Sequence, residues 1–469
     1  MLSLPFTPSG KEPLYQQLYR TIREEIQSGR LETGAKLPSK RQLAQELKLS
    51  VVTVEGAYSQ LVAEGYIQSQ DRRGFFVLPV QVNGGQSAPQ SLSQAIESLP
   101  HSSRSYPYDF ATSGGDAASF PFATWAKLSR EVLSTGSQSL LSAAHPQGIP
   151  ELREAIVKHI YQFRGIQVSP EQVIVGAGSE FLSTLLVQLL GTEGGYAVED
   201  PGYAKIARIF QASRAQVHPI PLDRHGLRVD KLEESGARIV HVTPSHHFPL
   251  GIVMPVTRRW ELLDWAARGE ERYIIEDDYD SEFRFSGKPI PALQSLDRKG
   301  HVIYLNTFAK SLAPSLRISY MVLPPKLLER YRRELLFYSS TVPSFEQHTL
   351  ALFMERGHME RHIARTRNRY QLRCAAMTEA AKAAGLGDVC AFSASNAGLH
   401  LLMTVRSKLP QQELTRLALE AGVKLYPLDS YFLCEPDATR PPTYVMGYGK
   451  LSETDLQAAF LALSVAWAF

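Results

Sequence analysis

The sequence predicts an α/β protein: a small N-terminal unit of helices closed by a hairpin, then a large domain built on a mostly parallel sheet. Three observations carry this. Up to about Leu78, apolar residues recur at helical spacing and then give way to two short strand-like runs. From Asp109 onward, β-branched runs alternate with segments long enough for crossover helices. Between the two, the composition turns to Gly, Ser and Pro.

In the first unit Leu14, Leu18, Ile22 and Ile26 mark a helix that Gly29 would stop. Leu37-Pro38-Ser39 supplies a turn and an N-cap for a second helix carrying Leu43, Ala44 and Leu47. After the tight turn Lys48-Leu49-Ser50, Ser50 caps a third helix with Val51, Val54, Ala57, Tyr58 and Leu61. Ile67 and the run Phe75-Phe76-Val77 read as two strands joined by Asp71-Arg72-Arg73-Gly74. Helix, helix, turn, helix, hairpin is the order of a winged helix. The expected division is 1–78 for this DNA-binding unit, 79–107 for a flexible linker, with a brief helix possible over Leu92–Leu99, and 108–469 for the large domain.

Bulk numbers narrow the function classes. Of the 469 residues, 44% are hydrophobic and 21% charged, as in a globular protein. The formal charge of +3 excludes a general polyelectrolyte binder, so any nucleic-acid surface must be local. Cys374, Cys390 and Cys434 are too few for a disulfide framework and lack zinc-type spacing. With no basic-then-apolar leader and no apolar run long enough to span a bilayer, a cytoplasmic protein with no membrane partner is expected.

Residues 1–80 carry ten basic against eight acidic side chains, so position matters more than charge. Lys40 and Arg41 open the second helix, Lys48 sits in the turn, and Arg72 and Arg73 tip the hairpin. A helix-turn-helix lays its second helix in the major groove while nearby basic groups contact phosphates. Three runs, Pro13-Leu14-Tyr15-Gln16-Gln17-Leu18, Leu37 to Ala44, and Thr53-Val54 with Leu61 to Tyr66, resemble the GntR-type winged helix. The resemblance implies that Arg41, the recognition helix from Ser50, and the Arg73-Gly74 wing meet double-stranded operator DNA. Lys40, Thr53 and Arg72 complete the candidate DNA-binding set. Val51 stands where that family often has arginine, and Lys40 where it commonly has glutamate.

In the large domain one constellation suits pyridoxal phosphate, which needs a lysine amine, a carboxylate for the pyridine nitrogen, phosphate donors and a stacking ring. Lys310 follows the strand-like Val302–Leu305, with Thr307 and Arg317 beside it. A sheet's C-terminal edge is where α/β folds place ligands, and arginine can hold phosphate bidentately. Glu276-Asp277-Asp278-Tyr279-Asp280 follows another strand; so many carboxylates need a positive partner. Gly176-Ala177-Gly178-Ser179-Glu180 lies at a strand-to-helix turn, and Tyr203 on a loop after Glu199-Asp200.

Together these resemble a fold-type I aminotransferase domain, in which an aspartate such as Asp277 precedes the lysine by 33 residues (310 − 277). The resemblance implies that Lys310 forms the Schiff base and Asp277 pairs with the pyridine nitrogen. Tyr279 would bond the phenolic oxygen, Tyr203 stack on the ring, and Gly178, Ser179, Thr307 and Arg317 cradle the phosphate. The two domains in this order resemble the MocR/GabR regulators. That likeness implies a homodimeric transcription regulator sensing pyridoxal phosphate, an amine or an amino acid, and controlling nearby metabolic genes. The alternative is a pyridoxal-phosphate aminotransferase with an accessory DNA-binding domain. Thr443–Tyr448 holds no arginine to clamp a substrate carboxylate; Arg440 and Lys205 are the nearest substitutes, and no metal is expected. His247 replaces the family's common glutamine and is given no catalytic role.

Overall fold

The structure, a computed structural model, describes residues 13–80, 106–112, 119–136, 138–285, 290–393, 397–437 and 439–468. The chain forms two compact units, Met1–Arg104 and Ser105–Phe469. Most of the expected linker over 79–107, including the short helix over Leu92–Leu99, lies outside the described residues.

The first unit contains α1 (Leu14–Gln27), β1 (Lys36–Leu37), α2 (Lys40–Leu47), α3 (Val51–Ala63), β2 (Ile67–Gln70) and β3 (Gly74–Val77). Ser39 Oγ accepts from the Gln42 N–H and Ser50 Oγ from the Thr53 N–H, so both expected caps form. Lys48 takes the left-handed conformation, φ 53°, that turns the chain between α2 and α3. Leu18, Ile22, Leu43, Val54, Tyr58 and Leu61 close the core. One expectation changes: Leu37, expected in a turn with Pro38 and Ser39, instead belongs with Lys36 to a strand that pairs with Phe75 and Phe76 in an antiparallel sheet of order β1-β3-β2. Two residues are too few to leave a period-2 signal.

The second unit is built on strands β4 (Tyr108–Asp109), β5 (Val173–Gly176), β6 (Tyr196–Asp200), β7 (Val217–Asp223), β8 (Gly226–Leu227) and β9 (Ile239–Val242). They continue with β10 (Tyr273–Asp278), β11 (Val302–Thr307), β12 (Ser319–Val322), β13 (Cys390–Ser393), β14 (His400–Val405), β15 (Val423–Lys424) and β16 (Thr443–Gly447). The central sheet runs β5-β12-β11-β10-β9-β6-β7-β8. Strand β12 is antiparallel to both neighbours and β8 to β7; the other pairs are parallel. Leu182, Leu186 and Phe210 cover one face, and Ile156, Ile160, Leu350 and Phe353 part of the other. The antiparallel sheet β13-β14-β16 packs with helices His358–Ala383 and Glu453–Trp467 around Met403, Tyr444 and Phe460.

The acidic run is placed differently from the expectation. It does not follow the strand: β10 continues through Glu276, Asp277 and Asp278, so successive carboxylates point to opposite faces. Glu276 is buried and accepts from the N–H groups of Leu293 and Gln294, both at 2.8 Å. Asp278 is buried against Arg164 Nε at 2.7 Å and the Tyr304 hydroxyl at 2.6 Å. These partners, far off in sequence, make a charged strand end tolerable. Among the described residues no helix is long and apolar enough to cross a membrane, and all three cysteines are free thiols.

Candidate functional site

The C-terminal ends of β5, β6, β9, β10 and β11 meet at one edge of the central sheet. There a cavity of about 270 Å³ opens, and all eight candidate cofactor residues line it.

Lys310 sits on the short helix Phe308–Ser311, directly after β11. Thr307, the last residue of β11, caps that helix by accepting from the Ala309 N–H at 3.1 Å, and it also accepts from Ser319 Oγ at 2.8 Å. The Lys310 amine donates to the Thr112 carbonyl at 3.0 Å. Burial holds its pKa below the ordinary lysine value, although Asp280 and Asp277 pull the other way. A buried amine of this kind is poised between donor and nucleophile.

Asp277 faces the cavity from β10, and His241 on the neighbouring β9 places Nε2 3.3 Å from its Oδ2. The Tyr279 hydroxyl lies 3.2 Å from His246 Nδ1, which also lies 2.9 Å from Asp280 Oδ2. Tyr203 stands at the start of helix Ala204–Ala212, 42% exposed, with its ring edge-on to Phe248 at 6.0 Å.

The anion end is formed by Gly178, Ser179 and Arg317. Ser179 opens helix Ser179–Leu190, whose first N–H groups are unpaired by the helix itself. Gly178 has φ 96°, and a Cβ there would stand 2.5 Å from Arg317 Nη2, so only glycine lets the guanidinium approach. Arg317 itself takes φ 53°, and its Nη2 donates to the Ala177 carbonyl at 3.3 Å and to Glu180 Oε2 at 2.6 Å. Lys205 pairs with the other oxygen of Glu180.

Sequence reasoning gave no role to Glu180, Thr112 or His400, which also line the cavity. Glu180 was visible within the glycine-rich turn, but its partners are 25 and 137 residues away. His247 is buried with Nε2 3.6 Å from Glu199; burial pushes its pKa down to about 3, leaving the ring neutral. The segment Thr443–Gly447 is a buried strand, and the Arg440 guanidinium sits 4.8 Å over the Phe432 ring.

In the first unit, Lys40 opens α2 with its amine 2.6 Å from Glu55 Oε1 and 5.6 Å from the Phe75 ring centroid. Arg41 is exposed beside it. The Ser50 and Thr53 hydroxyls are 2.8 Å apart and bonded to each other. Asp71, Arg72 and Arg73 form the hairpin turn and Gly74 begins β3, with Arg72 at φ 58° and Gly74 at φ 105°.

Residues 14–77 match the bacterial regulatory proteins of the gntR family, and residues 113–440 match aminotransferase class I and II. The chain is 40% identical to the uncharacterized HTH-type transcriptional regulator YdeL of Bacillus subtilis, over 97% of both chains. It is 32% identical to the probable rhizopine catabolism regulatory protein MocR of Rhizobium meliloti, over 96% of this chain and 94% of that one. The crystal structure of a multiple substrate aminotransferase from Thermococcus profundus is similar with a TM-score of 0.66 and 25% identity, over 82% of this chain and 96% of that one.

Proposed function

Since the chain belongs to the MocR-type regulators, a GntR-family DNA-binding domain fused to a pyridoxal-phosphate-dependent aminotransferase class I and II domain, we propose that its large unit senses and its small unit transmits. The sensed ligand is pyridoxal phosphate itself, or an amine or amino acid that reacts with it. The output is altered hold on operator DNA near metabolic genes.

One observation carries the reading: a single cavity collects the Lys310 amine, the Asp277 carboxylate and the Arg317 guanidinium at a helix start. These fit the cofactor. The close approach of Arg317 over Gly178 leaves a cradle that a Cβ would fill, and the buried amine donates to a backbone carbonyl. Bound pyridoxal phosphate supplies an aldehyde that condenses with amines and a ring that accepts electrons. The protein's share is positional. Arg317, Ser179 and the backbone around Gly178 would hold the phosphate, and Asp277 would keep a proton on the pyridine nitrogen. Tyr279 would donate to the phenolic oxygen, Tyr203 would cover the ring, and Thr307 would orient the Lys310 helix.

The lack of arginine in Thr443–Tyr448 supports sensing over repeated turnover, because transamination needs a firmly oriented α-carbon. Lys205, already paired with Glu180, is a weak substitute. In the same reading the protein is a cytoplasmic homodimer whose winged helices read paired half-sites or direct repeats. Titration of operator DNA with and without pyridoxal phosphate and a panel of amines tests the proposal. At least one ligand is expected to shift DNA affinity, by linkage between the two sites. Affinity unmoved by the cofactor and by every amine would overturn the sensing role.

A further inference from the structure

We infer that Val51 and Val52, at the start of α3, read thymine methyl groups in the major groove, an inference that rests on the operator-binding reading above. Four of the helix's apolar residues, Val54, Ala57, Tyr58 and Leu61, are fully buried in the core of the small unit. Val51 and Val52 are not: they are 44% and 76% exposed, in the first turn behind the Ser50 cap. The start of the second helix of a helix-turn-helix is the part that approaches base edges. Two isopropyl groups therefore stand where base contacts are made.

The polar side chains of that first turn are partly tied up, although one hydroxyl of the Ser50–Thr53 pair keeps a free O–H. No lysine or arginine occurs in Val51–Ala63, so α3 has no bidentate donor for guanine. Its one charged side chain, Glu55, is held by Lys40 at 2.6 Å. The Ser50 and Thr53 hydroxyls bond each other at 2.8 Å. Beside them stands rigid, β-branched hydrocarbon, with Val52 76% exposed. In the major groove the only apolar group on a base edge is the C5 methyl of thymine, and cytosine and the purines offer none. Exposed Arg41, Arg72 and Arg73 are left to contact phosphates on either side.

The test starts with full-length protein selecting from a randomised duplex pool, followed by replacement of each selected thymidine with deoxyuridine, which keeps base pairing but removes the methyl. Deoxyuridine beneath α3 is expected to weaken binding about three- to fivefold per methyl, the scale of one buried methyl group. The double variant Val51→Ala/Val52→Ala should bind thymidine and deoxyuridine duplexes alike, and its melting curve should match the parent because both side chains are exposed. Should the double variant bind too weakly to titrate, Val52→Ala alone is expected to shrink the discrimination. Arg41→Ala should bind more weakly yet keep the full discrimination. Thymines that all tolerate deoxyuridine, or discrimination that survives the valine substitutions, would overturn the inference while leaving operator binding intact. A pool with no enriched sequence would instead bring down the operator reading itself.

Discussion

Arg317 donates to the Glu180 carboxylate at 2.6 Å, at the same helix start where the cofactor's phosphate is proposed to sit. The guanidinium thus already holds an anion. Hydrogen bonds from Lys205 and Arg317 keep the Glu180 carboxyl below its ordinary pKa, so it stays ionised at neutral pH. An arriving phosphate must displace this carboxylate toward Lys205 or share Arg317 with it. Glu180→Gln is therefore expected to tighten pyridoxal phosphate binding about three- to tenfold, the size of one screened charge contact at a surface site. Lys205→Ala, which frees the carboxylate to stay on Arg317, should weaken it. Titration of the cofactor-free protein, followed by absorbance, decides; unchanged affinity in both variants would show that Glu180 does not compete.

Lys310 is expected to govern both colour and stability. Lys310→Ala should abolish the visible absorbance of the cofactor-loaded protein, and borohydride reduction followed by peptide mapping should tag Lys310 in the parent. A tag on another lysine would remove the sensing chemistry. The buried amine also has a pH signature. Its folded pKa lies below the unfolded value of about 10.4. The unfolded chain then binds the proton more tightly, so stability rises with pH between the two values. In cofactor-free protein, Lys310→Met should raise the melting temperature below that window and flatten its rise through it.

A deeper pair should decide whether the strand end survives. Arg164 and Asp278 are both buried, with Nε 2.7 Å from Oδ2. Removing one partner strands the other, at a cost of about 3–5 kcal/mol. Arg164→Met is expected to lose that much in chemical denaturation, and Arg164→Met/Asp278→Leu to recover a large part of it. A single variant as stable as the parent would mean that the charge is compensated elsewhere.

This pair also shows where sequence reading stops. Lys310, Asp277 and Arg317 could be picked out because each sits in a local run whose strand-then-turn pattern places it at a sheet edge. Nothing local links Arg164 to Asp278, 114 positions on, so four carboxylates looked like one acidic loop. In fact β10 sends only Asp277 into the cavity, while Glu276 and Asp278 are absorbed by the opposite face. Glu180 failed for a related reason: its meaning comes from Lys205 and Arg317, which reach it across the fold. In the small unit, caps are short-range and were legible; the two-residue β1 was not, since its pairing with Phe75 and Phe76 is set by the wing.

Glu199 gives a second pH effect, of opposite sign. Its buried carboxyl accepts from the Thr243 N–H at 3.0 Å and hydroxyl at 2.7 Å, yet burial raises its pKa to about 7. The unfolded value is about 4.3. Here the folded state binds the proton more tightly, so this contribution is full below about pH 4.3 and is lost as pH rises to about 7. Glu199→Gln removes the titration. Relative to the parent, its stability should improve by up to about 3 kcal/mol between about pH 4 and pH 8. A difference that stays constant across that range would assign the carboxylate a different partner.

The two basic residues that open α2 should behave differently on DNA. Arg41 is exposed, whereas the Lys40 amine is held at 2.6 Å by Glu55. If Arg41 contacts a phosphate, Arg41→Ala should weaken binding to every sequence and make the plot of log affinity against log salt shallower by about one unit, as one fewer counterion is released. Lys40 is already neutralised by its partner, so it releases little counterion. Lys40→Ala should leave the slope nearly unchanged while still lowering affinity, because the Glu55 carboxylate is then bare beside the duplex. Lys40→Ala/Glu55→Gln should restore most of that loss. Filter binding or fluorescence anisotropy over a range of salt measures all three variants. An unchanged slope for Arg41→Ala, or a full unit lost for Lys40→Ala, would reverse the roles assigned to the pair.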